Sequence, residues 1–84
     1  MPEISRFYGI VIKMYFKNKE HNPPHFHALY GEFMSSFRID TLEELEGDLP
    51  MQAKMLVLKW ATEKQNDLEE IWDQQTFRKL QPLE

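Results

Sequence analysis

From Ile10 to Phe16 the chain alternates: Ile10, Ile12, Met14 and Phe16 fall on one side, and Val11, Lys13 and Tyr15 on the other. A period of two in β-branched and aromatic residues predicts a strand over residues 10–16, with the isoleucine side toward the core. The run from Ile4 to Tyr8 reads as its lead-in. Residues 26–30 and 33–39 predict two more strands around Gly31-Glu32. A two-residue loop opening on glycine has the composition of a type II′ turn, because glycine enters the required positive φ without a Cβ clash. That loop sets Tyr30 opposite Phe33, Ala28 opposite Ser35 and Phe26 opposite Phe37 on one face. His27 then lies opposite Ser36 and His25 opposite Arg38 on the other, with Leu29 and Met34 nearer the turn. A slip of one residue would mix the two sets.

Glu44-Leu45-Glu46, closed by Gly47, is a candidate fourth strand. Beyond it the period becomes helical. Ala53, Leu56, Val57, Trp60 and Ala61 form one stripe of a helix that starts at Asp48-Leu49-Pro50 and runs to about Glu63, with Asp48 as its cap and Pro50 in its first turn. Met51, Met55 and Leu58 lie on the opposite side. A second helix folded back over them, or a partner or self-association surface, accounts for a helix apolar on both sides. Asn66-Asp67-Leu68-Glu69 has capping-box spacing and predicts that second helix from about residue 67, with Leu68, Ile71, Trp72 and Gln75 on one face. The tail from Arg78 to Glu84 is expected to be extended and loosely docked. The expected fold is α+β: an antiparallel three- to four-stranded meander followed by two helices packed on one face of the sheet. Residues 1–84 are expected to form a single domain.

Composition narrows the function classes. Eleven aromatic residues supply a core, and the absence of cysteine removes disulfides and thiolate metal sites, which fits a reducing cytoplasm. The Met-Pro-Glu start has no leader pattern and no apolar run reaches membrane-span length, so a cytoplasmic protein is expected, with no membrane partner. Net charge is −4, the wrong sign for coating nucleic acid by charge alone. Residues 1–40 nevertheless hold five basic side chains against four acidic ones, while residues 41–84 hold five against ten.

The candidate chemistry gathers around His21-Asn22-Pro23-Pro24-His25-Phe26-His27, which contains every histidine. The prolines forbid a helix and hold their neighbours extended. The register leaves Lys13, Tyr15, His25, His27, Ser36 and Arg38 together on the polar face. Three readings compete for it. His25 and His27, about 7 Å apart along a strand, are close enough to share a metal ion with His21 or Glu20 as a third ligand, although Arg38 opposite His25 opposes a cation. Alternatively, Arg38 and Lys13 hold a phosphate, His25 and His27 move protons from a reference pKa of about 6.5, and Tyr15 stacks on a base, the set a metal-free endoribonuclease needs. In the third reading the histidines only hydrogen-bond the loop, and an exposed sheet face is polar as usual.

The Asn-Pro-Pro-His-Phe-His string followed by Tyr30-Gly31-Glu32 resembles a family of small prokaryotic proteins, the domain of unknown function DUF4160. The likeness extends through Ile4 to Gly9, Met14-Tyr15, Leu49-Pro50 and Trp60-Ala61 to Pro82-Leu83. The resemblance implies no activity or cofactor. It implies genomic company, a second small protein encoded by a neighbouring gene, the pair suspected to be a toxin-antitoxin-like module. This chain departs from the pattern in a longer Lys17 to Glu20 link in which Glu20 stands where Asp is common. It departs again in Leu42, where the turn often has glycine, and in Met51 and Met55, where polar or basic residues are usual.

The function expected on these grounds is a protein-interaction component of such a module, acting through Met51, Met55 and Leu58 or through an open sheet edge, either with the neighbouring gene's product or as a homodimer. The alternative is a metal-free endoribonuclease or a phosphate- or RNA-binding protein using His25, His27 and Arg38, with His21, Lys13, Tyr15 and Ser36 as binding residues. Neither expectation calls for a metal or a cofactor.

Overall fold

Five antiparallel strands form one sheet in chain order, and a single long helix lies across it in the computed structural model, which describes residues 2–15 and 23–84. The strands are β1 (Glu3–Phe7), β2 (Ile10–Lys13), β3 (His25–Tyr30), β4 (Phe33–Arg38) and β5 (Glu44–Gly47), and the helix is α1 (Met51–Gln74). The class is α+β as expected, with a longer meander and one helix in place of two.

The β3–β4 hairpin has the expected register throughout, from His25 opposite Arg38 to Tyr30 opposite Phe33. Gly31 sits at φ 58, as the first position of a type II′ turn requires. The lead-in segment is itself a strand: β1 pairs with β2 through a two-residue turn at Tyr8 and Gly9, which take φ 50 and φ 80. Two successive positive φ values are the type I′ signature, whose usual sequence is Asn-Gly rather than Tyr-Gly. β2 ends at Lys13, short of the expected residue 16, although Met14 still donates its N–H to the Pro2 carbonyl. Phe16 lies outside the described residues.

The candidate fourth strand exists as β5, paired to β4 with an irregularity between Ser36 and Phe37. Leu42, in the turn before it, takes φ 62. Gly47 takes φ 124, and a Cβ there would collide with the Met34 carbonyl and the backbone of Ser35. Only glycine fits this close approach.

The expected break at Asn66 is absent, and α1 runs through it for 24 residues. Its buried positions, Ala53, Val57, Trp60, Ala61, Leu68, Ile71 and Trp72, continue one stripe across the supposed boundary, so a single helix serves the whole core. Asn66 is merely an exposed residue of that helix. Asp48 is not the cap. It extends the sheet instead, donating its N–H to the Met34 carbonyl, and Pro50 occupies the cap position without a side-chain hydrogen bond.

The core lies between α1 and the face of the sheet carrying Ile10, Ile12, Phe26, Ala28 and Phe37, all fully buried with Trp60 at the centre. The Trp60 ring packs 5.5 Å from Phe7 and 6.2 Å from Phe26. The tail is firmly docked rather than loose: Leu83 is buried, Trp60 Nε1 donates to the Gln81 carbonyl at 2.8 Å, and Leu80 donates its N–H to the Ile4 carbonyl at 2.8 Å. A buried indole N–H requires such a partner, and the extended tail supplies it.

Candidate functional site

On the side of the sheet away from α1, the pairing builds a row that crosses all five strands: Glu3, Lys13, His27, Ser36 and Glu46 are successive partners. Because the pleat sends paired residues to one side, Lys13 and Ser36 flank His27 as the register predicts. Tyr15 closes over His27 edge-on with ring centroids 4.3 Å apart.

His25 stands at the end of the sheet, its ring 5.2 Å from His27 and 5.4 Å from Trp72 near the end of α1. Its Nδ1 is 2.8 Å from the Pro23 carbonyl. A carbonyl oxygen only accepts, so Nδ1 carries the proton and the lone pair of the neutral ring is on Nε2. The Pro23-Pro24 step therefore fixes both the entry of β3 and the tautomer of its first residue. His27 is held differently. Its Nδ1 is buried without a hydrogen-bond partner, and burial, aided by the neighbouring His25, lowers its pKa to about 4. It is neutral at pH 7.

Arg38 does not stand open beside the histidines. Its guanidinium makes two bonds to Asp40, Nε to Oδ1 at 2.5 Å and NH2 to Oδ2 at 3.1 Å, and this pairing holds the Asp40 carboxyl below its ordinary range. Pro23, His25, His27, Ser36, Leu45 and Glu46 line an open cavity of about 160 Å³, and Arg38 is not among them. The structure thus brings His25, His27 and Ser36 together, sets Lys13 and Tyr15 around His27, and leaves Arg38 engaged elsewhere.

His21 and Glu20, considered above as further metal ligands, lie outside the described residues. Among the described residues no three His, Asp or Glu side chains are close enough to hold a metal ion. Glu46 and Leu45 are cavity residues that the sequence reading missed. Glu46 follows His27 and Ser36 across the sheet, but the irregularity between Ser36 and Phe37 hides the β4–β5 register from sequence.

A second candidate surface lies on α1. Met51 and Met55 are 65% and 63% exposed one turn apart, since among the described residues no second helix covers them, whereas Leu58 is half-buried against the core. Elsewhere on the first turns of α1, Gln52 and Leu56 line a depression of about 120 Å³ with Tyr8, Ile10 and Tyr30, and neither methionine lines it.

A five-stranded antiparallel meander crossed by one helix, with a histidine-bearing row on its outer face, defines a small α+β domain. The chain belongs to the family described as Domain of unknown function (DUF4160), whose profile matches residues 9–73. Comparison with curated proteins and with solved structures gives no match. No helix among the described residues is long and apolar enough to cross a membrane.

Proposed function

We propose that this chain is a protein-interaction component of a toxin-antitoxin-like two-gene module of the prokaryotic cytoplasm, and that its partner is the small protein encoded by the neighbouring gene. The observation carrying this reading is the exposure of Met51 and Met55 on the outward side of α1. Single exposed apolar residues are ordinary on any protein surface. Two flexible thioethers one turn apart on one side of α1 give an exposed apolar surface that adapts to a partner. Co-purification with the neighbouring gene's product, alongside light scattering, tests the reading. The wild-type chain should capture that product, and a Met51→Glu, Met55→Glu double variant should fold normally and lose capture. Concentration-dependent doubling of mass, abolished by the same variant, assigns the surface to a homodimer instead. A strict monomer that ignores its neighbour sinks the proposal.

The rival is a metal-free endoribonuclease or a phosphate- or RNA-binding protein using His25, His27 and Arg38. The proximity of the two imidazoles and the flanking Lys13 support it. It asks Arg38 to leave Asp40, and it gives His27 the part of a base, because a ring neutral at pH 7 lacks the acidic second proton that an imidazolium would donate. RNA cleavage by the wild type that disappears in His27→Ala, with the fold intact, would establish it.

A further inference from the structure

The cavity beside His27 is lined by polar groups that the fold itself does not use. Ser36 is 5% exposed and lines the cavity, yet among the described residues its hydroxyl has no hydrogen-bond partner. Its neighbour Ser35 shows the usual arrangement, donating to Glu44 and accepting from the Leu49 N–H. Glu46, on the same wall, forms no ion pair among the described residues, whereas Glu44 on the other side of β5 is paired with Lys54 at 2.7 Å. His27 adds a buried ring nitrogen without a partner, and His25 adds a ring whose proton is committed to Pro23. A buried ring nitrogen left without a partner, as in His27, is uncommon in folded proteins and calls for an explanation.

The inventory specifies what satisfies them. One full negative charge comes from Glu46, and lone pairs come from the Ser36 hydroxyl and from the one unprotonated nitrogen of the neutral His27 ring. Among the described residues neither nearby cation cancels that charge: Arg38 is tied to Asp40, and Lys13 sits across His27 on β2 and does not line the cavity. The site is therefore acceptor-rich and calls for a positively charged donor. A single metal ion is a poorer match, because among the described residues no three carboxylate or imidazole groups are placed to hold one. A polyatomic cation with donors spread across a plane matches better, and about 160 Å³ accommodates a headgroup of several heavy atoms. Guanidinium presents five N–H donors in a fork that suits a carboxylate, and its faces pack on imidazole rings and on apolar groups such as Pro23 and Leu45.

We propose that the cavity formed by His25, His27, Ser36 and Glu46 binds the guanidinium group of a ligand, supplied either by a free small molecule or by an arginine side chain of an extended peptide. This site touches α1 through the His25 ring beside Trp72, and none of its lining residues is a methionine of the exposed α1 surface.

The test is an NMR titration of the full chain with agmatine, following the imidazole signals of His25 and His27 and the amides of β4 and β5. Saturable shifts confined to these groups are expected. Glu46→Gln, at an exposed position where folding is not at stake, should weaken binding by about tenfold or more, the loss expected of one charge-assisted hydrogen bond. N-methylurea, planar and uncharged, should give no saturable shift. An arginine-containing peptide that binds more tightly than agmatine and perturbs the β5 edge identifies a chain-borne guanidinium; equal affinity identifies a free ligand. Absence of saturation with agmatine and with the peptide overturns the proposal. So does undiminished binding by Glu46→Gln, or equimolar zinc that shifts both imidazoles and displaces agmatine.

Discussion

Arg38 and Asp40 bind each other through two hydrogen bonds, and this pairing withdraws the guanidinium from the histidine that the sheet register places opposite it. The pair is largely exposed, with side-chain accessibilities of 40% and 46%. Exposed ion pairs contribute about 0–1 kcal/mol. Arg38→Ala should therefore leave the denaturation midpoint nearly unchanged in denaturant titration, and it should leave partner capture through α1 unchanged. A collapse of RNA binding in that variant would favour the rival reading instead.

The lowered pKa of His27 makes stability depend on pH. In the unfolded chain the ring takes up a proton below about pH 6.5, while in the fold it resists protonation down to about pH 4. The unfolded state therefore binds more protons across that interval, and stability falls as pH drops from about 6.5 toward 4. Denaturant midpoints at several pH values should show this slope in the wild type. His27→Gln should flatten it, and an unchanged slope in that variant would assign the effect to carboxylates.

Glu44 ties the sheet to the helix. It receives Lys54 from the first turn of α1 and the Ser35 hydroxyl from β4, and these partners, Lys54 foremost, hold its carboxyl below the ordinary range. The stabilisation is present above the unfolded-state pKa and is lost as pH falls through the folded value. Glu44→Gln should cost about 1–2 kcal/mol near neutrality. The difference from wild type should shrink in acid, as chemical denaturation at pH 7 and pH 3 would reveal.

Gly47→Ala should destabilise the domain by more than about 2 kcal/mol, because the added carbon meets backbone atoms of β4 that have no room to retreat. Gly31→Ala meets nothing within 4 Å, so its cost is confined to the strained φ of 58, about 1–2 kcal/mol. Thermal melts of the two variants would rank them in that order.

The parts legible in the sequence are those governed by local rules. Gly31 dictated a turn type, the turn dictated a register, and His25, Phe26, His27 and Ala28 fell where that register sends them. Other parts depended on distant contacts. Tyr8 accepts an unfavourable φ because the hairpin closes β1 onto β2 while the Tyr30 ring packs over Gly9, and neither pressure is visible in a Tyr-Gly dipeptide. Asn66 and Glu69 satisfy a local capping rule, but burial of Leu68, Ile71 and Trp72 on the stripe begun by Ala53 outweighs it. Glu46 was missed because its place opposite Ser36 depends on an irregular pairing that sequence spacing does not encode.

The docked tail bears on where this domain can be cut. The family match ends at residue 73 and begins at residue 9, so a fragment trimmed to those limits loses β1 together with the segment that hydrogen-bonds to it. Both losses fall on the same flank. The trimmed fragment would present β2 as a raw border strand, and the Trp60 indole would lose the Gln81 carbonyl that receives its proton. Unprotected borders of this kind recruit other chains, so clumping in such a fragment would report the missing flank and nothing about biological self-association.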